Sequence, residues 1–120
     1  MDVGANIGNH MLYYLLECNA KKVICFEPVK STFEILEKNI TINDLKDKVK
    51  LLNYGLSETF SKGSIENYNI KNIGGTSIIE NKYGDIELVR YDDLSLGNSI
   101  IDFIKMDVEF FELKAIRGMR

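Results

Sequence analysis

Asp2-Val3-Gly4-Ala5-Asn6-Ile7-Gly8, followed by Lys22-Val23-Ile24-Cys25-Phe26-Glu27, decides the fold. The short apolar lead into Gly4 reads as the end of a strand. Gly4 lets the backbone turn tightly off that strand. Asn6 stands where many such loops carry a second glycine, and Asn is the next best residue for a left-handed conformation. Gly8 lets a following helix sit close to the sheet and to a ligand. From Asn6 to about Glu17, residues Ile7, Met11, Leu15 and Cys18 recur at helical spacing, with Leu12 and Leu16 beside them. Lys22 to Glu27 is a continuous apolar run rich in β-formers. It predicts a strand covered on both faces, as in a parallel sheet.

Ser31-Thr32-Phe33-Glu34 matches a capping box, with Ser31 as N-cap and Glu34 three residues on. The helix it starts turns Phe33, Leu36 and Ile40 inward and is expected to end near Asn43. Val49 to Asn53 reads as a third strand. This alternation of strand and helix implies an α/β domain with a parallel sheet. Residues 61–91 depart from it. Gly63, Gly74-Gly75 and Gly84 separate short β-like pieces, which predict a β-hairpin insertion with an exposed face. Ile100 to Val108 returns to the sheet as a fourth parallel strand, and Phe111, Ala115, Ile116 and Met119 follow helical spacing after it. Only three residues precede the glycine turn and nothing follows the last helix. Residues 1–120 are therefore expected to be one incomplete domain of a longer α/β protein, with an open sheet edge through which it can associate.

At 45% apolar and 28% charged residues, the chain has enough apolar material for a core without a disulfide scaffold. Its net charge of −3 argues against a general nucleic-acid binder and against polybasic membrane attachment. Apolar runs such as Val23 to Phe26 are far shorter than the roughly 20 residues of a membrane helix. No signal peptide is visible, so a cytoplasmic protein is expected. Cys18 and Cys25 have no CxxC or neighbouring His and read as two reduced, buried thiols. No metal site is predicted.

Glu27 lies 23 residues after Gly4, the distance at which an acid closing the second strand meets a ribose diol. A glycine turn with a distant acid is common to dinucleotide and S-adenosylmethionine sites. The dinucleotide fingerprint G-x-G-x-x-G holds a pyrophosphate on bare amides; here the pattern is G-x-N-x-G-N. Asp2 would repel a pyrophosphate but suits an ammonium or sulfonium, which favours S-adenosylmethionine. Ile104-Lys105-Met106-Asp107-Val108-Glu109 places Asp107 at the carboxyl end of the fourth strand with Glu109 just beyond. If strand one lies between strands two and four, Asp2, Glu27 and Asp107 converge on the crevice where the strand order reverses. Lys105 falls on the same side of that strand as Asp107 by period two. Asp107 or Glu109 as a simple cap of the last helix is the plainer alternative. His10, the sole histidine, reads as a surface or loop-packing residue ahead of a catalytic base.

The segments DVGANIG (2–8), FEP (26–28), KNITIN (38–43), GGTS (74–77) and IDFIKMDVE (101–109), in this order and spacing, resemble the FkbM family of S-adenosylmethionine-dependent methyltransferases. The resemblance implies a Rossmann-like class I methyltransferase fold, S-adenosylmethionine as methyl donor, and O-methylation of a hydroxyl on a small-molecule or glycan acceptor. By that resemblance Asp2, Gly4, Asn6 and Gly8 form the cofactor loop and Glu27 holds the ribose hydroxyls. Asn53, Leu56 and Ser57 lie near the adenine, while Asp107 and Glu109 face the methyl-transfer site. Phe110 stands where the family usually carries glycine, which implies a different turn or acceptor pocket there.

An NAD-dependent oxidoreductase is the first competing reading. The missing glycine pattern and the lack of a Tyr-x-x-x-Lys set disfavour it. A truncated cofactor-binding domain without catalysis is the second. Base methylation of nucleic acid is disfavoured by charge and by the absence of an Asn/Asp-Pro-Pro-Tyr motif.

Overall fold

The computed structural model describes residues 1–67, 76–97 and 100–120. Asp2–Val3 (β1) leads through the glycine turn into α1 (Asn9–Leu16). Then come β2 (Val23–Phe26), α2 (Lys30–Ile42) and β3 (Val49–Leu52). Gly55–Leu56 (β4), Ser61–Asn67 (β5), Ser77–Glu80 (β6) and Ile86–Val89 (β7) follow. A 3-10 turn at Tyr91–Asp93 precedes β8 (Lys105–Met106) and α3 (Glu112–Arg117).

The first sheet has the order β3-β2-β1-β8, and every pairing in it is parallel. The mixed α/β architecture is the Rossmann-like one expected. Strand order reverses across β1: the chain moves outward to β2 and β3 on one side and returns to β8 on the other. The carboxyl ends of β1, β2 and β8 therefore border the crevice where such sheets hold ligands.

β8 is shorter than the strand expected over Ile100 to Val108. Its register with β1 pairs Asp2 with Lys105 and Val3 with Met106. The Lys105 amide donates to the Met1 carbonyl and the Asp107 amide to the Val3 carbonyl, and the ladder stops there. Ser61–Asn67, Ser77–Glu80 and Ile86–Val89 build most of a second sheet, in the order β4-β7-β5-β6. Within it β5 runs antiparallel to both β6 and β7, and β4 is parallel to β7. Gly74-Gly75 of the GGTS segment lie outside the described residues; Thr76 and Ser77 lead into β6.

Alternation along the strands sorts the core into two layers. Val23 and Cys25 face Met11 and Leu15 of α1 and Leu36 and Ile40 of α2. Val3 and Phe26 face the other way, onto Leu56 and Ala115. Phe26 is fully buried, a burial that contributes about 1.5–3 kcal/mol.

Two local expectations need correction. α2 begins at Lys30 with Val29 as its N-cap, so Ser31 lies inside the first turn and makes no cap. The Glu27 carboxylate takes the Val29 amide instead, which fixes the chain two residues earlier. Cys18 is exposed, because α1 ends at Leu16 and releases the chain before it; Cys25 is buried and its thiol is pushed up to about 12 by that burial. Of the apolar residues at helical spacing in the last segment, α3 buries Ala115 fully and leaves Ile116 exposed.

Candidate functional site

The glycine turn bends back on itself through left-handed residues. Gly4, Asn6 and Gly8 have φ of 78°, 52° and 98°. The amides of Gly4 and Ala5 both donate to the Phe26 carbonyl at 3.0 Å, which ties the turn to the end of β2. At Gly4 a Cβ would collide with the Asp107 carbonyl, so the turn and the end of β8 are in direct backbone contact. At Gly8 a Cβ would meet the side chains of Leu36 and Met11, so this glycine serves the packing of α1 against α2.

Glu27 closes β2 and is only 6% exposed. Its Oε2 accepts the Asn6 amide and its Oε1 the Val29 amide, each at 2.9 Å. Burial raises its pKa above the ordinary carboxylate value, and those two amides pull it back down. Asn53 stands behind it, donating from Nδ2 to the carbonyls of Glu27 and Pro28 at 2.8 and 3.1 Å. The carboxylate is thus oriented on both oxygens, each with a lone pair to spare for a hydroxyl donor.

On the other side of the turn, β8 delivers Lys105 and Asp107. Lys105 is the register partner of Asp2. Its Nζ donates to the Gly4 carbonyl at 2.9 Å and stands 3.3 Å from Asp2 Oδ1. Asp2 is completely buried, and neither of its oxygens accepts a directional hydrogen bond among the described residues, so the contact is an ion pair. Burial raises the Asp2 pKa, and Lys105 opposes the rise.

After β8 the chain turns through two successive left-handed residues, Glu109 (φ 42°) and Phe110 (φ 75°). The Val108 amide donates to Glu112 Oε1 at 3.2 Å as α3 begins. Phe110 therefore holds a left-handed backbone conformation of the kind that favours glycine. Its ring is 88% exposed.

These segments enclose one cleft. Its walls are the turn (Gly4, Ala5, Asn6), the start of α1 (Asn9, His10), the β2–α2 connection (Glu27 to Val29) and Thr32. The end of β8 (Lys105, Asp107 to Glu109), Thr76 just before β6 and Ile78 within it complete it. Gly4, Asn6, Glu27, Asp107 and Glu109 are thereby brought together. Asp2 lies beneath the turn, and Gly8 and Asn53 support it from behind. Leu56 belongs to the core, and Ser57 is buried with its carbonyl against Gly118, so neither lines this cleft. Lys105 carried a legible signal in its period-two relation to Asp107. Thr32 and Ile78 carried none, since their place depends on how α2 and the second sheet pack. Among the described residues no group of acids, His or Cys is arranged to hold a metal ion. A wider hollow lies at the opposite end of the strands, between Tyr14, Lys22, Lys48 and Phe103, away from the glycine turn.

The family model for the methyltransferase FkbM domain matches residues 2–120. The chain belongs to this family. A curated relative, methyltransferase sdnD of Sordaria araneosa, is 28% identical over 99% of this chain. The chain spans 59% of that relative's length. The crystal structure of methyltransferase FkbM from Methylobacillus flagellatus KT superposes with a TM-score of 0.63 at 21% identity. That match covers 98% of this chain and 27% of the solved one, and it shows a common fold. Among the described residues no helix is long and apolar enough to cross a membrane.

Proposed function

We propose that this chain is the cofactor-binding domain of an S-adenosylmethionine-dependent methyltransferase acting on a hydroxyl of a sugar, glycan or natural product. The observation that carries the reading is Glu27, whose carboxylate is buried, held by the Asn6 and Val29 amides, and turned to the same cleft as Asp107. Family membership supports methyl transfer as the reaction class.

The donor set fits the cofactor. Glu27 presents acceptors for a ribose diol, the turn from Gly4 to Gly8 leaves room for close approach, and acids suit a cationic ligand. S-adenosylmethionine, when bound, supplies an electrophilic methyl group on a sulfonium. Glu27 accepts the ribose hydroxyls. The turn and the end of β8, locked together at Gly4 and Asp107, fix the cofactor side relative to the acceptor side, and such alignment is the main requirement of an in-line displacement. Asp107 takes the proton of the acceptor hydroxyl, with Glu109 as the second base. Thr76 and Ile78 bring the second sheet to the acceptor side. The free thiols of Cys18 and Cys25 fit a reducing compartment such as the cytoplasm.

Calorimetric titration with S-adenosylhomocysteine and, separately, with NADH tests the reading. Binding of the first without the second is expected. Binding of NADH alone, or of neither, overturns it.

A further inference from the structure

The ammonium of Lys105 has three N–H donors. One goes to the Gly4 carbonyl at 2.9 Å, and a second faces Asp2 Oδ1 at 3.3 Å. No acceptor for the third is found among the described residues. The side chain is 16% exposed, and what is exposed lines the cleft. Two residues on, Asp107 lines the same cleft, and its carboxylate forms no hydrogen bond or ion pair to a described residue. The end of β8 thus presents a held cation and an unpaired anion side by side. Glu27, the acceptor for a diol, sits across the glycine turn from them.

An α-amino acid carries a carboxylate, the acceptor that the remaining Lys105 donor lacks. We infer that Lys105 anchors the carboxylate of the cofactor's amino-acid arm, and so sets the direction in which the nucleoside lies along the cleft. The inference rests on the S-adenosylmethionine reading above. Asp2 holds Lys105 in place from below. Because Asp2 offsets the charge, Lys105 contributes a directed donor more than a net positive field.

The competing role for Lys105 is purely architectural: pinning the Gly4 carbonyl and nothing more. Two nucleosides separate the roles, because 5′-methylthioadenosine lacks the amino-acid arm that S-adenosylhomocysteine carries. The Asp2→Asn/Lys105→Met double variant removes the donor without leaving a buried carboxylate unpaired. Its Kd for S-adenosylhomocysteine should weaken about tenfold or more, as for a lost charged hydrogen bond, and that for 5′-methylthioadenosine by less than about threefold. Equal weakening for both, or none for S-adenosylhomocysteine, overturns the inference. A ligand-side measurement on the wild-type protein serves if the variant does not fold. S-adenosylhomocysteine should bind about tenfold more tightly than its α-carboxamide. Equal affinity overturns the inference while leaving the cofactor reading intact. Wild-type protein that binds neither nucleoside overturns the cofactor reading itself, and the inference with it.

Discussion

Gly4 lies against the backbone carbonyl of Asp107, with no room between them for a side-chain carbon. Through this contact the turn after β1 and the end of β8, about a hundred residues apart in sequence, form one rigid floor of the cleft. The Lys105 hydrogen bond to the Gly4 carbonyl reinforces it.

Gly4→Ala should therefore be costly twice over. The residue sits at φ 78°, which costs a non-glycine residue about 1–2 kcal/mol, and its new Cβ would push β8 away. A loss of at least about 2 kcal/mol in chemical denaturation is expected, with loss of S-adenosylhomocysteine binding. A variant of wild-type stability would contradict the placement of Gly4.

Glu27→Ala removes the acceptor for both the Asn6 and the Val29 amides and for the proposed ribose contact. Affinity for S-adenosylhomocysteine should fall by about 1.5–3 kcal/mol, or roughly ten- to a hundredfold. Unchanged affinity in calorimetry would mean the nucleoside sits elsewhere.

Asp107→Asn should leave cofactor affinity within about threefold of wild type and abolish methyl transfer, because the amide accepts no proton. Turnover at the wild-type rate would remove Asp107 as the base.

Asp2 gives a pH dependence of definite sign. Burial raises its pKa above the ordinary 3.8. Between the ordinary and the raised value the folded chain keeps a proton that the unfolded chain has released. The unfolded state then binds fewer protons, so the Asp2 contribution to stability falls as pH rises through that window. Asp2→Asn removes the dependence. The difference in Tm, wild type minus variant, should be largest on the acid side and shrink as pH rises. A difference that grows with pH would contradict the burial of this carboxylate.

Phe110 is a strained residue with little to lose. Its ring is 88% exposed and its φ is 75°. Phe110→Gly relieves the left-handed strain, partly offset by the greater freedom of glycine in the unfolded chain. A net gain of up to about 1 kcal/mol is expected, read as a rise in Tm. A fall in Tm would mean the ring makes contacts that its exposure denies.

The parts of this architecture that were legible in the sequence rest on local physics. The glycine turn must be left-handed whatever surrounds it. The run Val23 to Phe26 has no polar face and so needs cover on both sides. Glu27 stands at the end of that run by simple counting. Other features depended on distant partners. Ile100 to Ile104 have strand-like composition, but the register with β1 pairs only Lys105 and Met106 among the described residues. Ser31 and Glu34 match a capping box, yet the Glu27 side chain takes the Val29 amide and starts α2 earlier. The family resemblance implies Leu56 and Ser57 near the adenine, but the chain enters the second sheet at Gly55 and buries both. The pairing of Asp2 with Lys105 is a matter of register between β1 and β8, which a single sequence does not record.

The most direct test of the account is a crystal structure of the protein with S-adenosylhomocysteine bound. The ribose hydroxyls are predicted within hydrogen-bonding distance of the Glu27 carboxylate, with the homocysteine arm running toward Lys105. A nucleoside bound in the hollow between Tyr14 and Phe103, or anywhere without contact to Glu27, would contradict it.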